Sequence, residues 1–337
     1  MASAKKLKSG QWRTLVYSHT ENGKRKYESF TASTKKESEY MAAEFAMNKS
    51  NSKNTCTFTY GEALDAYIKK RSSILSPSTI REYKRSRRCD MQIIMNIKIR
   101  DLTQEQVQEA VNEESITHSP KSVRNMHGLL SAVLKTYRPD FALNTDLPKK
   151  IRPQINVPTD DEMKILMKEV ADTPMEIPVL LAAFGPMRRG EICALTSSDI
   201  KDNIIHVSKN MVQDEHKKWV VKSPKSYAGD RMIEFPDFVI NKLVDKKGQI
   251  VDLSPSQVSD RFVDVLKRAG IPHFRFHDLR HYHASISHAL GIPDQYIMAR
   301  GGWASDTVLK NVYRHTMADK MARMTSKANE HFKSIVN

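Results

Sequence analysis

Four short segments between residues 184 and 315 concentrate side chains that could bind and attack a phosphate group. They are FGPMRRGEICAL (184–195), SPKSYAGDRMIEF (223–235), FHDLRHYHAS (276–285) and GGWASDTVLKNVYRH (301–315). Arg188 and Arg280 carry planar guanidinium groups that hold phosphate oxygens in pairs, and Lys225 adds a compact ammonium charge. The segments therefore predict a cluster of cations around a phosphodiester.

Two further side chains could take part in the chemistry. His277 precedes Arg280 by three residues, so both lie on one face of a helix. Tyr313 is a candidate nucleophile, because tyrosine forms covalent intermediates when cations stabilise its phenolate and the charged transition state. The chain has eleven tyrosines, and a tyrosine is commonly a packing residue. Tyr313 therefore gains significance only from the cationic segments around it.

A zinc site is an alternative use of the same histidines. His277 and His281 match H-D-x-x-H, which is related to the zinc motif H-E-x-x-H. Asp278 replaces the usual glutamate, no third ligand follows nearby, and Arg280 would be repelled by a dication. The chain also lacks a nucleotide-binding GxxxxGK[ST] motif and a carboxylate cluster for a catalytic metal. We expect neither a metal nor a cofactor.

Taken together, the four segments resemble those of the tyrosine recombinase family, the integrases of phages and conjugative transposons. MRRGE is similar to the family's first arginine motif, and HDLRH is similar to its H-x-x-R box. Tyr313 lies ten residues after Trp303 and two before His315, as in the terminal box of the family. The resemblance covers almost the whole chain and is strongest from Phe184 to His315.

The resemblance implies a role for each matching residue. Arg188 and Arg280 would clamp the scissile phosphate while Tyr313 attacks it, leaving a 3′-phosphotyrosyl link and a free 5′-hydroxyl. Lys225 resembles the family's lysine in the turn between the second and third strands, and it would protonate the leaving oxygen. Lys222 is the alternative for that lysine.

Two supporting residues and two departures complete the comparison with the family pattern. His277 would exchange a proton with the nucleophile, and Glu191 would support the pocket from behind. Trp303 stands where most relatives have a histidine; an indole can donate a hydrogen bond to phosphate but cannot shuttle protons. Packing beneath the site is the alternative role for Trp303. Pro186 replaces the usual glycine before the first arginine motif.

Turn and linker signals predict three domains, at residues 1–50, 56–150 and 155–337. A hairpin signal within residues 11–31 precedes a helical pattern, the polar stretch 48–55 is typical of a linker, and the proline-rich stretch 139–158 predicts a second linker. The expected fold is multidomain and mainly α with small β-sheets. It comprises a three-stranded N-terminal sheet with a helix, a helical SAM-like core-binding domain, and a mixed α/β catalytic domain.

Local signals place the helices and strands inside these domains. Capping boxes at Thr59 and Thr103, together with Ser-Pro pairs at 76–77 and 119–120, predict four helices between about 57 and 137. In the third domain, helices run to about residue 195, then three short strands (IIHV, KWVV and DRMIEF), then helices again. The resemblance implies that a final helix, about 317–334, docks on a neighbouring protomer.

The charge of the chain indicates a polyanionic partner. Lys and Arg number 54 against 39 acidic residues, giving a net charge of +15. Residues 69–100 hold ten basic residues and two acidic ones, which suits a face that follows DNA phosphates, although a solvated helix face is the alternative. The candidate DNA-binding residues are Lys69, Lys70, Arg81, Lys84, Arg85, Arg87 and Arg88.

Cysteine usage and hydropathy bear on the compartment. Three widely spaced cysteines predict no disulfide framework, and the sequence shows neither a signal peptide nor a membrane-spanning run, so we expect a cytoplasmic protein. The resemblance implies double-stranded attachment sites, a tetramer on DNA that works through a Holliday junction, and an excisionase and a DNA-bending host protein as further partners. The alternatives are a type IB topoisomerase and a non-catalytic DNA-binding regulator with the same fold.

Overall fold

The computed structural model describes residues 3–7, 9–21, 24–55, 57–151, 155–224 and 227–305, with short pieces at 325–326, 329–330 and 332–335. The chain divides into two compact units, Met1–Ile151 and Arg152–Asn337. The division into three domains stays a prediction. Most of the predicted final helix, 317–334, lies outside the described residues, and the short described pieces there are helical.

The first unit begins with a three-stranded antiparallel sheet and a long helix. The strands are β1 (Lys5–Lys6), β2 (Trp12–Glu21) and β3 (Lys24–Ala32), and the helix is α1 (Lys35–Thr55). The hydroxyls of Thr14 and Ser38 join sheet and helix through a buried hydrogen bond of 2.6 Å. The linker predicted at 48–55 is wrong, because α1 continues through it. That stretch contains no glycine or proline, and Lys, Ser and Asn each weaken a helix only slightly.

Four helices and their connections form the remainder of the first unit, as the capping signals predict. They are α2 (Tyr60–Arg71), α3 (Pro77–Cys89), α4 (Gln104–Thr117) and α5 (Pro120–Tyr137). Capping boxes begin α2 at Thr59 and α4 at Thr103, while Ser76 begins α3 without a side-chain cap. Leu64, Ile94 and Leu130 belong to a shared apolar core. The amphipathic spacing of such residues holds the helices together.

The stretch that follows α5 is extended and is fastened to α4. Gln104 donates to the carbonyl of Ala142 (2.7 Å) and accepts from the amide of Asn144 (3.1 Å). One helical turn later, Gln108 donates to the carbonyl of Asp146 (3.1 Å) and accepts from its amide (2.8 Å). The predicted linker 139–158 therefore includes a part that is ordered against the first unit.

In the described residues, the second unit contains seven helices and five short strands, packed around a large apolar core and a smaller apolar cluster of Ala284, Ile297 and Trp303. The helices are α6 (Asp160–Val170), α7 (Glu176–Phe184), α8 (Arg189–Ala194), α9 (Asp237–Ile240), α10 (Pro255–Ala269), α11 (Asp278–Ala289) and α12 (Asp294–Gly301). The strands are β4 (Ile200–Lys201), β5 (Ile204–Val207), β6 (Asn210–Gln213), β7 (Trp219–Lys222) and β8 (Arg231–Glu234). Within the described residues, no helix is both long enough and apolar enough to cross a bilayer.

The strands form two sheets, β4-β5-β8 and β6-β7, where the sequence predicts three strands. The predicted strands correspond to β5, β7 and β8, whereas β4 and β6 are additional. β4 has only two residues, and β6 (NMVQ) contains a single β-branched residue. In the first sheet Ile205 pairs with Ile233, and Val207 pairs with Arg231. All four side chains are buried, so an arginine lies on the apolar face of β8.

Candidate active site

Arg188 lies at the beginning of α8, where a carboxylate and a carbonyl hold its side chain. Glu191 accepts from the backbone amide of Arg188 (2.8 Å) and from its Nη1 (2.6 Å). The other terminal nitrogen, Nη2, donates to the carbonyl of Gly302 at 2.6 Å. Because Glu191 occupies the third position of the helix, it satisfies the helix start and orients the arginine at the same time.

Arg280 is buried in the first turn of α11 and has donors to spare. Its Nη2 donates to the carbonyl of Gly301 at 2.9 Å, whereas Nε and Nη1 have no hydrogen-bond partner among the residues that the structure describes. Its Cζ lies 4.5 Å from the ring centroid of Trp303, so the indole stacks on the guanidinium. Burial, followed by the charge of Arg188, lowers the pKa of Arg280. A buried cation with two unpartnered donors is suited to an anionic oxygen.

Two consecutive glycines bring the arginines together. The carbonyls of Gly301 and Gly302 accept from Arg280 and Arg188 respectively, so the two guanidinium groups lie side by side. Gly302 has a φ of +65°, and a Cβ there would lie 2.6 Å from the carbonyl oxygen of Ala228. A Cβ on Gly301 would lie 1.9 Å from the ring of Trp303. Only glycine fits these two positions without displacing a neighbour.

The charges of the site are unbalanced towards positive. Arg188, Arg231 and Arg280 surround one carboxylate, Glu191, and formal charges of three and minus one give +2. Burial alone would raise the pKa of Glu191, but the hydrogen bond and charge of Arg231, and then the charge of Arg188, lower it. Glu191 is therefore ionised at neutral pH, and the excess positive charge is available to a bound anion.

His277 is the residue immediately before α11, three residues before Arg280 in the chain. His277 is partly accessible to solvent. Partial burial of its ring lowers the pKa of His277, and the positive charge of Arg280 lowers it further. The ring centroids of His277 and His281 are 5.1 Å apart and the rings meet edge to face. Between the two histidines in the chain, Asp278 accepts a hydrogen bond at its Oδ1 from Arg275 Nη2 at 2.7 Å. In the described part of the chain, no group of three metal-ligating side chains occurs.

Two predicted catalytic residues, Lys225 and Tyr313, lie outside the described residues, so their roles stay predictions. Lys222, the alternative lysine, is the last residue of β7 and pairs with Asn210 across the small sheet. Trp303 is buried against Ala284 and Ile297 as well as against Arg280. The structure thus gathers Arg188, Glu191, Arg280 and Trp303 in one place.

Arg231 is a part of this cluster that the sequence analysis missed. The segment DRMIEF predicts a strand, and the alternation of side chains along it places Arg231 on the same face as Ile233 and Phe235. A charged residue at an inward position of a strand is a signal for a buried partner. The sequence therefore indicated that Arg231 has a buried partner, but it did not identify Glu191, 40 residues away, as that partner.

The basic segment of the first unit separates into two kinds of side chain. Arg85 holds buried Asp90 with two hydrogen bonds of 2.9 and 3.0 Å, and also contacts Glu82. Arg87 donates to Asp65 and to the carbonyl of Gly61, both at 3.1 Å. Arg81 pairs with Glu82. The remaining candidates, Lys69, Lys70, Lys84 and Arg88, are exposed.

Known integrases are similar to the part of the chain that carries the paired arginines. Residues 156–320 match the phage integrase family. A prophage phiRv2 integrase of Mycobacterium tuberculosis is 28% identical over 214 residues, which are 55% of this chain and 56% of that protein. The integrase of Salmonella phage P22 is 48% identical over 50 residues, 15% of this chain and 13% of that one. Residues 156–320 thus belong to the phage integrase family of tyrosine recombinases.

Solved structures share this fold over a greater part of the chain. The Tn1549 transposon integrase in complex with transposon right end DNA aligns with a TM-score of 0.65 and 15% identity, covering 80% of this chain and 100% of that one. A lambda integrase tetramer bound to a Holliday junction aligns with a TM-score of 0.58 and 17% identity, covering 92% and 94%. The predicted multidomain, mainly α fold is confirmed. The match to the mycobacterial relative spans just over half the length of either protein.

Proposed function

We propose that this protein is a site-specific DNA recombinase that integrates and excises a mobile element through a covalent bond between Tyr313 and DNA. The observation that carries the proposal is the pairing of Arg188 and Arg280 on consecutive carbonyls, with two donors of Arg280 unpartnered within the described residues. Guanidinium groups are suited to the non-bridging oxygens of a phosphodiester. The family membership of the segment that contains them supports this reaction over phosphate binding alone.

The proposed cleavage step exchanges one phosphate ester for another. The Tyr313 oxygen attacks phosphorus, the bond from phosphorus to the 5′-oxygen breaks, and a 3′-phosphotyrosyl link forms. His277 takes the proton from the tyrosine hydroxyl, and Lys225 gives a proton to the 5′-oxygen. Rejoining reverses these transfers with a 5′-hydroxyl from another strand, so the ester energy is conserved and no nucleotide is consumed.

The electrostatics of the site suit this step. A phosphodiester carries one negative charge, and a second develops as the phenolate adds to phosphorus, so the excess of +2 is matched to the transition state. Glu191 holds Arg188 in place without neutralising both arginines. Because its pKa is lowered, the His277 imidazole is neutral at neutral pH and can accept the proton of Tyr313.

We further propose that double-stranded attachment sites bind to both units and that four protomers act together through a Holliday junction. Exposed Lys69, Lys70, Lys84 and Arg88 supply phosphate contacts in the first unit. The lambda integrase tetramer on a Holliday junction, whose fold this chain shares, supports the assembly. An excisionase and a DNA-bending host protein are the further proposed partners, at the nucleoid of a bacterial host.

Covalent trapping tests the proposed function. Wild type, Tyr313→Phe and the control Tyr296→Phe, which changes an exposed tyrosine, are incubated with nicked DNA that carries the attachment core and loses its 5′ fragment on cleavage. We expect a denaturation-resistant adduct with wild type and the control, and none with Tyr313→Phe. Equal adducts from all three proteins would exclude Tyr313 as the nucleophile. Tight binding without any adduct would favour the non-catalytic regulator.

The general acid is tested with the same substrate. Substitution of Lys225 by alanine should slow cleavage on the order of a hundredfold or more. A DNA with sulfur in place of the 5′-oxygen should restore the rate, because a thiolate leaves without a proton. Rescue of Lys222→Ala in place of Lys225→Ala would assign the acid to the end of β7.

A further inference from the structure

A buried arginine outside the predicted catalytic set connects the elements that carry that set. Arg231 donates through Nη2 to Glu191 Oε2 (2.9 Å) and through Nη1 to Glu191 Oε1 (3.3 Å). Its Nη1 also donates to the carbonyl of Gly229 (3.2 Å), and its Nε donates to the carbonyl of Arg300 (2.8 Å). Four of the five guanidinium hydrogens thus have acceptors. The side chain begins on β8 and reaches both α8 and the end of α12.

From these contacts we infer that Arg231 is the positioning residue that holds the two catalytic arginines in register for cleavage, an inference that rests on the proposed function. It acts on Arg188 through Glu191, since the same carboxylate accepts from both arginines. It acts on Arg280 through the chain, since it fixes the carbonyl of Arg300 immediately before Gly301. One side chain therefore sets the acceptors of both guanidinium groups.

The backbone around residues 300–302 shows why such an anchor is needed. Gly301 and Gly302 have the greatest conformational freedom of any residues, yet their carbonyls must point at Arg280 and Arg188. Arg231 holds the residue before this pair. In return, Arg300 donates to the carbonyl of Glu234 on β8 at 2.7 Å, so the strand and the end of α12 are joined by reciprocal bonds. Misplacement of this segment by about an ångström would lower the rate on the order of a hundredfold.

The pH dependence of cleavage distinguishes a positioning role of Arg231 from a merely structural role. Glu191 faces Arg188 on α8 and Arg231 on β8, and Arg280 on α11 interacts with it through charge. Among the groups that lower the pKa of Glu191, Arg231 is first. Without Arg231, burial raises the pKa of Glu191 towards the pH values at which cleavage is measured. Protonated Glu191 holds Arg188 less firmly, so the defect should deepen as the pH falls.

Single-turnover cleavage of nicked DNA by the full chain, measured from pH 8 to pH 5.5, tests the inference. The proteins are wild type, Arg231→Met, Arg231→Lys and the control Arg261→Met, which changes an exposed arginine of the same unit. We expect Arg231→Met to bind DNA within about twofold of wild type and to cleave on the order of a hundredfold more slowly at pH 8. The ratio of wild-type to variant rates should increase towards pH 5.5. Arg231→Lys keeps a charge beside Glu191 but not the fork, so it should remove most of the pH dependence and only part of the rate defect.

Several results would overturn the inference, and they differ from those that would overturn the proposed function. A rate of Arg231→Met equal to wild type would remove the positioning role, as would a wild-type-to-variant ratio that is the same at every pH. Thermal melting of Arg231→Met and Arg231→Lys shows whether each variant is folded at the assay temperature, so a slow rate is assigned to positioning only in a folded variant. If wild type itself forms no adduct, the proposed function fails and the positioning role fails with it.

Discussion

Substitution of Trp303 distinguishes a stacking residue from a hydrogen-bond donor to phosphate. We expect Trp303→Phe to slow single-turnover cleavage by no more than about tenfold, and Trp303→Ala to slow it on the order of a hundredfold or more. The reason is the position of the ring. Its centroid lies 4.5 Å from the Cζ of Arg280, and the indole is buried among Ala284 and Ile297.

The magnitudes follow from what each substitution removes. A desolvated cation–π contact contributes about 2 kcal/mol, and phenylalanine retains part of it, so a loss of about 1 kcal/mol corresponds to a factor of about five. Alanine removes the ring completely and leaves a cavity, which costs about 3–5 kcal/mol of stability for a buried aromatic residue. Arg280 then loses the surface that keeps its buried guanidinium in one orientation.

The assay is adduct formation on nicked DNA together with thermal unfolding of each variant. Trp12 provides a matched control, because it also lies under a cation, with Lys6 Nζ at 5.9 Å from its ring, but belongs to the first unit. Trp12→Phe should leave the cleavage rate unchanged. If Trp303→Phe were as slow as Trp303→Ala while melting at the wild-type temperature, the indole N–H would be the essential group, and the stacking argument would be refuted.

Two other predictions concern the first unit. Simultaneous substitution of Lys69, Lys70 and Arg88 by glutamine should weaken DNA binding and reduce the slope of log affinity against log salt by about 2.7, at about 0.9 for each lost phosphate contact; an unchanged slope would identify a solvated face. Replacing both Gln104 and Gln108 by alanine should speed hydrogen exchange in the extended segment that they hold, with global melting nearly unchanged, and protection equal to wild type would show that apolar packing alone orders it.

Much of the fold follows from short-range signals in the sequence. The capping boxes at Thr59 and Thr103 each begin a helix as predicted, because the motif satisfies backbone donors locally and needs no distant partner. Strands β4 and β6 were not predicted. β4 has only two residues, and β6, with the sequence NMVQ, contains a single β-branched residue, so the local strand signal is weak in both. The helical continuation through 48–55 was missed because polar composition was taken for a linker.

The residues of the site also fall into two groups: those that sequence motifs identify and those that only the folded chain brings into contact. Arg188, Glu191 and Arg280 were identified from the sequence because they lie in compact motifs, and the structure brings them together. Arg231 and the paired glycines act through contacts that span tens of residues, such as the bond from Arg188 to the carbonyl of Gly302, 114 residues away. No local pattern specifies which carbonyl an arginine reaches, so these contacts appear only once the chain is folded.

The distribution of hydrogen bonds among the three arginines explains how one buried carboxylate can serve a cationic site. Glu191 satisfies Arg231 and Arg188, and reduces the repulsion that the three neighbouring guanidinium groups would otherwise exert on one another. Arg280 donates to one carbonyl, and within the described residues its buried Nε and Nη1 have no acceptor, which is costly for buried donors. In the proposed reaction, phosphate oxygens supply the missing acceptors, and their negative charge is greatest in the transition state. The incomplete bonding of Arg280 therefore favours the transition state over the unbound enzyme, whereas a second carboxylate at this place would remove that preference.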